Sequence, residues 1–306
     1  MGALPLTRPP SGDAAEADTL GPDDFARIAG LVRDAAGLSL SPIKRPMVES
    51  RLRKQARALG LPDLRSFLAR LDAGPEPEDL RVVVGALTTN ITSFYREPHH
   101  FEILRRTILP TLAAGRDRGA PVRFWSAGCS DGMEPYTLAA ELDIAWGEAA
   151  ATRARILATD IDAEMIAAAR AGRYEARRIK GMPPDRRAAL LEAEQADHVT
   201  VRSALRRRVT FNVHNLLEPW PMRHPFDVVF CRNVVIYFDD SLRLSLWPRF
   251  AAAIRPGGWL FLGHSERIVG PMLGCFRQAG TTLYQRTDTP APGAAPNDDG
   301  GPHVPA

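Results

Sequence analysis

Cysteine is scarce in this chain of 306 residues, and the positions of its cysteines exclude two common kinds of site. Cys129, Cys231 and Cys275 are far apart, and no Cys-x-x-Cys pair occurs. This spacing supports neither a zinc knuckle nor a disulfide framework, and reduced thiols are expected. Long apolar runs are also missing, both of membrane-span length and of the kind found in a signal peptide. We therefore expect a cytoplasmic protein with no membrane insertion and no metal site.

A large charge imbalance is also missing. The chain has 39 Lys and Arg residues against 36 Asp and Glu residues, which leaves a net charge of +3. A balance this small does not indicate a nucleic acid or an anionic membrane as partner. A local basic cluster does occur on the second predicted helix, at Arg51, Arg53, Lys54 and Arg57. This cluster is either a solvated helix face or a docking surface, and the sequence leaves both open.

The two ends of the chain differ in composition from the part between them. Residues 1–20 and 287–306 are rich in Pro, Gly, Ala and Asp, and are predicted to be disordered tails. In residues 21–87, apolar side chains recur every three or four positions, with Pro and Gly between the periodic stretches. This pattern predicts a small all-helical N-terminal domain.

Beyond about Pro121, short runs rich in Val, Ile and Phe alternate with helical stretches. Such alternation predicts an α/β, doubly wound, Rossmann-like domain, which we place at residues 88–286. The polar, arginine-rich residues 173–210 interrupt the alternation and predict a small inserted β subdomain, in which HVTVRS and RRVTF resemble a hairpin. Ligands of such sheets bind beyond the carboxyl ends of the strands, so site residues are expected where each apolar run stops.

Glycine or polar residues follow four successive predicted strands. In chain order they are Gly128 and Gly132, then Asp160, then Asn215, then Arg232 with Asn233. A carboxylate at the second position can accept hydrogen bonds from ribose hydroxyls, whereas the neighbouring Asp162 suits a helix cap better. Neither G-x-G-x-x-G nor G-x-x-x-x-G-K-[ST] occurs. The order therefore indicates a nucleoside ligand without a polyphosphate, and favours S-adenosylmethionine over a dinucleotide or ATP.

Five segments, in order, resemble the CheR family of chemotaxis methyltransferases. They are LTTNITSFYREPHHF (87–101), WSAGCSDGMEPYTLA (125–139), ATDID (158–162), FDVVFCRNVVIYF (226–238) and GHSE (263–266). The resemblance runs from about residue 23 to residue 286. It implies an S-adenosylmethionine-dependent enzyme that methylates glutamate side chains of chemoreceptor cytoplasmic domains, giving glutamate methyl esters and S-adenosylhomocysteine. We expect a monomer that acts on chemoreceptor helices and binds no nucleic acid.

The resemblance also implies a set of cofactor-binding residues. They are Asn90, Thr92, Arg96, Glu134, Asp160, Asn215, Leu216, Arg232 and Asn233. The glycine turn would lie under the cofactor, with the NITSFYRE segment closing over it. Glu134 would hold the polar end, because an acid suits a cofactor that carries an ammonium group and a sulfonium. Asp160 would bind the ribose, with Asn215 and Leu216 on the adenine side.

Arg96 and Tyr237 are the expected catalytic residues, because they would orient the carboxylate of the substrate. Tyr237 also fits a second interpretation, as an aromatic residue that packs at the strand end. No general base is expected, since a glutamate side chain has an ordinary pKa of about 4.3 and is ionised at neutral pH. His99 and His100 are adjacent on a helix and are expected to diverge, and His264 with Glu266 is expected to shape the rim of the pocket.

The chain departs from the family motif at two positions of the glycine turn. The family has Thr where Asp131 stands and Glu where Met133 stands. These departures bear on cofactor affinity and motivate one alternative, a CheR-like module that binds S-adenosylmethionine or a signalling partner without catalysis. A nucleic-acid methyltransferase is a third hypothesis and ranks last, because RNVVIY stands where such enzymes carry Asn/Asp-Pro-Pro-Tyr/Phe.

Overall fold

The computed structural model of this chain describes residues 19–114 and 120–290. Residues 1–18 and 291–306, most of the two predicted tails, lie outside the described part. The helices are α1 (Pro22–Ala36), α2 (Arg45–Ala58), α3 (Leu64–Asp72), α4 (Pro77–Leu87), α5 (Pro98–Ile103), α6 (Leu109–Ala114), α7 (Met133–Trp146), α8 (Ala150–Arg153), α9 (Ala163–Ala171), α10 (Pro184–Leu190), α11 (Ser203–Arg208) and α12 (Asp240–Ala253). The strands are β1 (Val122–Ala127), β2 (Ala154–Asp160), β3 (Arg173–Glu175), β4 (Leu191–Glu194), β5 (His198–Val201), β6 (Val209–Val213), β7 (Phe226–Cys231), β8 (Ile254–Leu262), β9 (Phe276–Gly280) and β10 (Leu283–Arg286).

The four N-terminal helices, α1 to α4, share one apolar core. Phe25 and Ile28 of α1 lie in it with Leu52 of α2 and Phe67 of α3. Helix α1 ends at Ala36 and is capped by Gly37, whose φ of +70° is a conformation that glycine adopts more readily than other residues. The all-helical character predicted for this part of the chain is confirmed.

A seven-stranded sheet forms the centre of the rest of the described chain, in the order β6-β2-β1-β7-β8-β10-β9. Strands β6, β2, β1, β7 and β8 are parallel, and Phe124 of β1 lies opposite Ile156 on one side and Val228 on the other. From β1 the chain builds the sheet outward first through β2 and β6, and then through β7 and β8. The doubly wound fold is therefore confirmed, and its switch point lies between β1 and β7.

The last two strands make the sheet mixed. Strand β10 pairs antiparallel with β8 and with β9, and Leu283 lies opposite Phe261. Only Thr281 and Thr282 separate β9 from β10, and a two-residue loop can join only antiparallel neighbours. The alternating pattern predicted a parallel sheet and did not reveal this hairpin.

The inserted segment forms a second sheet of three strands, in the order β3-β5-β4. Strand β5 is antiparallel to both neighbours. The predicted hairpin between HVTVRS and RRVTF is wrong, because Val209–Val213 is β6 of the large sheet. Helix α11 lies between the two runs and carries the chain from one sheet to the other.

Contacts between the N-terminal helices and the strand ends bring the two parts of the chain together. The Asn215 amide donates to the Ala35 carbonyl at 2.7 Å, and Ser39 N donates to the Tyr237 carbonyl at 2.9 Å. Phe101 of α5 stacks on Phe230 of β7, with ring centroids 5.7 Å apart. The segment between α4 and α5 is thus held over the carboxyl edge of the sheet. Every helix in the described part is too short or too polar to cross a lipid bilayer.

Candidate functional site

A cleft lies at the switch point, at the carboxyl ends of β2, β1, β6 and β7. Its empty space is about 960 Å³, open solvent at the mouth included. All ten residues predicted for the site line it: Asn90, Thr92, Arg96, Glu134, Asp160, Asn215, Leu216, Arg232, Asn233 and Tyr237. The structure therefore brings the predicted set together, although it leaves the role of each residue a prediction.

The glycine turn after β1 depends on two residues without a side chain. Gly128 has a φ of +81°, and a Cβ there would fall on Val234 Cγ2, closer than two carbon atoms can approach. Gly132 has a φ of +90°, and a Cβ there would lie 2.8 Å from the Cβ of Ala169. Val234 and Ala169 therefore pack directly against the backbone of the turn. The remaining side of the turn faces the cleft.

Asp160 is nearly buried at the end of β2 and accepts hydrogen bonds from the backbone. Its Oδ2 accepts from Ser130 N at 2.7 Å and its Oδ1 from Asp162 N at 3.0 Å. Burial raises the pKa of Asp160 to about 6 in spite of these bonds. Each carboxylate oxygen has further acceptor capacity. The expected helix-capping role of Asp162 is confirmed, since its Oδ1 accepts from Glu164 N at 2.9 Å.

Glu134 is held by two donors in the wall of the cleft. Ser126 Oγ donates to its Oε1 at 2.7 Å, and Arg232 Nη1 donates to its Oε2 at 3.0 Å. Burial raises the pKa of Glu134, against the lowering effects of Arg232 and Ser126. The Glu134 carboxylate is therefore held in a fixed position by Ser126 and Arg232.

Arg232 lies between two carboxylates, with its side chain only 2% exposed. Besides Glu134, it pairs with Glu97, whose Oε2 lies 3.2 Å from its Nη2. Burial acts to raise the pKa of Glu97, but Arg232, His100 and the hydrogen bond from His264 together outweigh burial and lower that pKa. Two ionised carboxylates around one guanidinium leave a net negative charge beside the cleft, which suits a cationic ligand. The sequence did not single out Glu97.

The segment between α4 and α5 lines one side of the cleft. The Asn90 amide donates to Asp162 Oδ2 at 2.7 Å, so this side chain ties the segment to the end of β2. Arg96 donates from Nη1 to the Ile91 carbonyl at 2.8 Å, and its own carbonyl accepts from Arg232. Tyr95 and Glu97 have positive φ values, +54° and +56°, which are uncommon for residues other than glycine. The packed surroundings thus hold this segment in a demanding conformation.

His214 and Asn215 follow β6 and line the opposite side of the cleft. The Asn215 side chain is engaged with the Ala35 carbonyl and with Leu217 N, which donates to its Oδ1 at 3.0 Å. His214 Nε2 is buried and has no hydrogen-bond partner among the described residues. The sequence analysis missed His214, although its place directly after a strand end was a usable signal.

Asn233 stands at the end of β7 with a φ of +59°. Both polar atoms of its side chain are buried without a hydrogen-bond partner in the described chain. A Cβ at Gly263 would lie 2.6 Å from Asn233 Nδ2, so that glycine leaves room for the amide. Glu266 accepts from the backbone nitrogens of Asn233 and Val234, at 2.8 Å each. Glu266 therefore organises this turn, where the sequence indicated only a pocket rim.

The two adjacent histidines do not diverge as expected. The rings of His99 and His100 lie 4.2 Å apart, because both turn toward Glu97. Donor atoms of these three residues lie within 4.8 Å of one another in the described structure, which is a possible metal geometry. Arg232 already pairs with Glu97 there, and a second cation beside it is unfavourable. The absence of a metal stays a prediction.

The residues of the cleft fit S-adenosylmethionine. Unpartnered polar atoms of Asn233 and His214 can meet a nucleoside, and Asp160 has acceptor capacity for hydroxyls. The net negative group of Glu97, Glu134 and Arg232 suits an ammonium and a sulfonium. No polyphosphate-binding loop is present in the sequence.

Comparisons with known proteins agree with this geometry. Residues 90–284 match the family described as "CheR methyltransferase, SAM binding domain", and residues 23–88 match "CheR methyltransferase, all-alpha domain". The chain is 39% identical over 260 residues to a probable chemotaxis protein methyltransferase of Rhizobium etli, covering 84% of this chain and 97% of that protein. It is 38% identical to the chemotaxis protein methyltransferase of Salmonella typhimurium, covering 85% of this chain and 88% of that one. For the Escherichia coli protein of the same name the identity is 37%, over 80% and 84% of the two chains.

The predictions of the family, the cofactor and the type of enzyme are confirmed together. Both family descriptions match in order and between them span nearly the whole described chain. S-adenosylmethionine is the cofactor, and the chain has the fold of an enzyme that transfers its methyl group. The chain belongs to the CheR methyltransferase family.

Proposed function

We propose that this enzyme methylates glutamate side chains on the cytoplasmic domains of chemoreceptors. The observation that carries the proposal is the position of Arg96 and Tyr237, which line the same cleft as the cofactor-binding set. A guanidinium and a phenol in the wall of this cleft are suited to receive a carboxylate. The relatives are named chemotaxis protein methyltransferases, which supports a receptor as the substrate.

The proposed reaction requires little acid–base catalysis from the protein. When bound, S-adenosylmethionine supplies a methyl group on a sulfonium, which is already activated for transfer. A glutamate with an ordinary pKa of about 4.3 is ionised at neutral pH, so its oxygen attacks without losing a proton. Transfer would exchange the methyl carbon–sulfur bond for an oxygen–carbon bond and give the methyl ester and S-adenosylhomocysteine, while Arg96 and Tyr237 would hold the carboxylate. The protein must align the carboxylate and exclude water.

The histidines near the site support a mechanism without a base. Burial lowers the pKa of His100 to about 4, and its Nε2 lies 3.0 Å from Thr282 Oγ1. Burial also lowers the pKa of His214. Lowered pKa values make both rings weaker bases, whereas Arg96 and Tyr237 offer positive charge and a hydroxyl in the cleft to orient an anion.

The alternative of a binding module without catalysis is not favoured. It was motivated by Asp131 and Met133, and neither residue lines the cofactor cleft. The matched relatives are named methyltransferases over most of this chain. A nucleic-acid substrate also has no support in the small net charge.

We propose that the basic face of α2 contributes to docking through Lys54 and Arg57, which are exposed. The other two members of the cluster have structural partners. Arg51 donates to the Thr88 carbonyl at 2.7 Å, and Arg53 pairs with Glu49 at 2.7 Å. Receptor helices that carry methylation sites are glutamate-rich, so opposite charge would raise the rate of encounter.

Further expectations about the whole protein also stay proposals. We place the boundary between the helical domain and the methyltransferase domain at residues 87–88, with an insertion at about 173–210. We propose a cytoplasmic monomer that binds no nucleic acid and inserts into no membrane. Sedimentation of the purified full chain, alone and with receptor fragments, tests the monomer.

The experiment that tests the proposed function is transfer of label from tritiated S-adenosylmethionine to receptor cytoplasmic fragments. Methyl esters of glutamate are labile to mild base, so the label should be released as volatile methanol. A fragment with its candidate glutamates changed to alanine is the matched control and should stay unlabelled. Label that is stable to base, or label that appears equally on the control fragment, would contradict a glutamate substrate.

A further inference from the structure

Arg178 joins the inserted subdomain to two parts of the cofactor site. It follows β3 in the insertion, and one of its nitrogens, Nη2, makes three contacts. It donates to the Thr92 carbonyl at 3.1 Å and to Asp131 Oδ2 at 3.0 Å, and it lies 3.2 Å from Met133 Sδ. Thr92 belongs to the segment over the cleft, and Asp131 belongs to the glycine turn.

Arg178 has two neighbours in the glycine turn, the carboxylate of Asp131 and the thioether of Met133. Methionine Sδ and the carboxyl carbon of glutamate occupy the same place in their side chains, since each is bonded to Cγ. A glutamate that followed the path of Met133 would therefore place its carboxylate beside Arg178.

We propose that the Asp131–Arg178 pair positions the 88–97 segment over the cofactor, and that Arg178 requires one acid beside it, which position 131 or position 133 can carry. In this chain that acid is Asp131, and an acid at position 133 would also lie beside Arg178. Neither Asp131 nor Arg178 is among the residues that line the cleft, so the charge of Asp131 is directed at Arg178 and not at the cofactor.

Burial explains why this site takes a single acid. The Met133 side chain is fully buried, and the Asp131 side chain is 13% exposed. Burial raises the pKa of Asp131, and Arg178 acts against that rise. A second carboxylate would have only a share of one guanidinium, and a buried charge without its own partner is costly. With no acid, Arg178 would keep only the Thr92 carbonyl as an acceptor in the described contacts.

The pair acts on the cofactor site through the backbone. Arg178 holds the Thr92 carbonyl, while Tyr174 donates from its hydroxyl to the Asp131 carbonyl at 2.6 Å. Both bonds come from the insertion and fix the two sides of the cleft relative to each other. The inference rests on the cofactor site and is independent of which protein receives the methyl group.

The experiment compares four proteins: wild type, Asp131→Thr, Met133→Glu and the double variant. Binding of S-adenosylhomocysteine is measured by calorimetry, and hydrogen exchange of the 88–97 segment is measured without ligand. Each single variant should bind roughly three- to tenfold more weakly and exchange faster in that segment, a coupling of the size found for residues in contact. The double variant should return to within about twofold of wild type. With saturating receptor, the KM for S-adenosylmethionine should follow the same order while kcat changes little.

The same substitutions are then made in an Arg178→Met background, which completes the mutant cycle. In that background, moving the acid from position 131 to position 133 should not change S-adenosylhomocysteine affinity, because the shared partner of the two positions is gone. A double variant that binds as weakly as the two single losses combined would overturn the inference. Should a single variant fail to fold, the double variant decides alone, since wild-type affinity supports the exchange and lost affinity refutes it. S-adenosylhomocysteine binding involves no receptor, so failure of the proposed glutamate substrate would not affect this result.

Discussion

The guanidinium of Arg232 lies between Glu134 and Glu97, 3.0 Å from the oxygen of the first and 3.2 Å from that of the second. It is also within 5.8 Å of the centre of the Phe101 ring. The arginine at the end of β7 thus joins the wall of the cleft to the segment that covers it. Sequence reasoning placed Arg232 at the cofactor, whereas its contacts in the structure are to protein carboxylates.

Replacing Arg232 should therefore destabilise the fold as well as the site. Arg232→Met leaves two carboxylates without their shared cation, and breaking a buried pair typically costs about 3–5 kcal/mol. Urea unfolding measures this loss. Arg243→Met, at an exposed ion pair with Asp240, is the matched control and should cost less than about 1 kcal/mol. Equal losses of unfolding free energy in the two variants would show that the buried network contributes no more to stability than an exposed ion pair.

Gly128→Ala should abolish cofactor binding through a clash and not through backbone strain alone. Gly257 has nearly the same φ, +77° against +81°, but a Cβ there meets nothing within 4 Å. Gly257→Ala should therefore cost only the ~1–2 kcal/mol of a left-handed residue and leave S-adenosylhomocysteine binding intact. Adding Val234→Ala to Gly128→Ala removes the obstructing methyl group and should recover part of the affinity in calorimetry. No recovery would mean that the turn fails for another reason.

Cofactor binding should weaken as pH falls through about 6. Burial raises the pKa of Asp160 to about 6, so the carboxylate that we expect to accept ribose hydroxyls is progressively protonated below that pH. The stability of the folded protein has the opposite pH dependence. The raised pKa of Asp160 stabilises the folded state at low pH, and this contribution is lost as the pH rises through 6. Asp160→Ala should weaken S-adenosylhomocysteine binding by about 1–3 kcal/mol at pH 7.5.

Calorimetry from pH 5.5 to 8 separates these effects. Asp160→Asn is the matched control, since it keeps the size of the side chain and removes the titration. Its affinity should be low and nearly flat over this range. A wild-type profile that is equally flat would remove Asp160 as the titrating group.

Docking should depend on the two exposed cations of α2. Charge reversal at Lys54 and Arg57 should raise the apparent KM for receptor fragments several-fold, while S-adenosylhomocysteine affinity stays unchanged. Raising the salt concentration should weaken the wild type more than the variant. Arg65→Glu is a comparison on α3, exposed but outside the cluster. If all three proteins respond alike to salt, the cluster is a solvated helix face.

The sequence predicted the cleft well because strand ends are a local signal. Asp160, Asn215 and Arg232 each follow an apolar run, and parallel strands bring such residues to one edge of a sheet. Pairings across long stretches of chain were not predictable in this way. The contact of Arg232 with Glu97 and that of Asp131 with Arg178 depend on how separate elements pack, and no periodicity encodes that.

Glu266 is another residue whose contacts could not be predicted from the sequence. Its motif, GHSE, was recognised, but its task is to accept hydrogen bonds from a turn more than thirty residues away. The family resemblance identified the position of Glu266, but only the folded structure shows which backbone groups it contacts. The hairpin predicted in the insertion failed for a related reason, since β strands of similar pattern can pair with either sheet.

The final prediction separates a reaction that aligns charge from one that moves a proton. Arg96→Ala and Tyr237→Phe should each lower kcat by about two orders of magnitude or more, because each removes a group that we propose to orient the carboxylate. Tyr237→Phe should leave S-adenosylhomocysteine binding nearly unchanged, whereas Arg96→Ala is expected to weaken it. His99→Ala and His264→Ala are the matched controls and should cost far less, because neither is required to transfer a proton. The rate should also show no ionisation near neutrality that a histidine variant removes. A histidine variant as inactive as Arg96→Ala would require a general base, and an ionised glutamate would then not be the nucleophile.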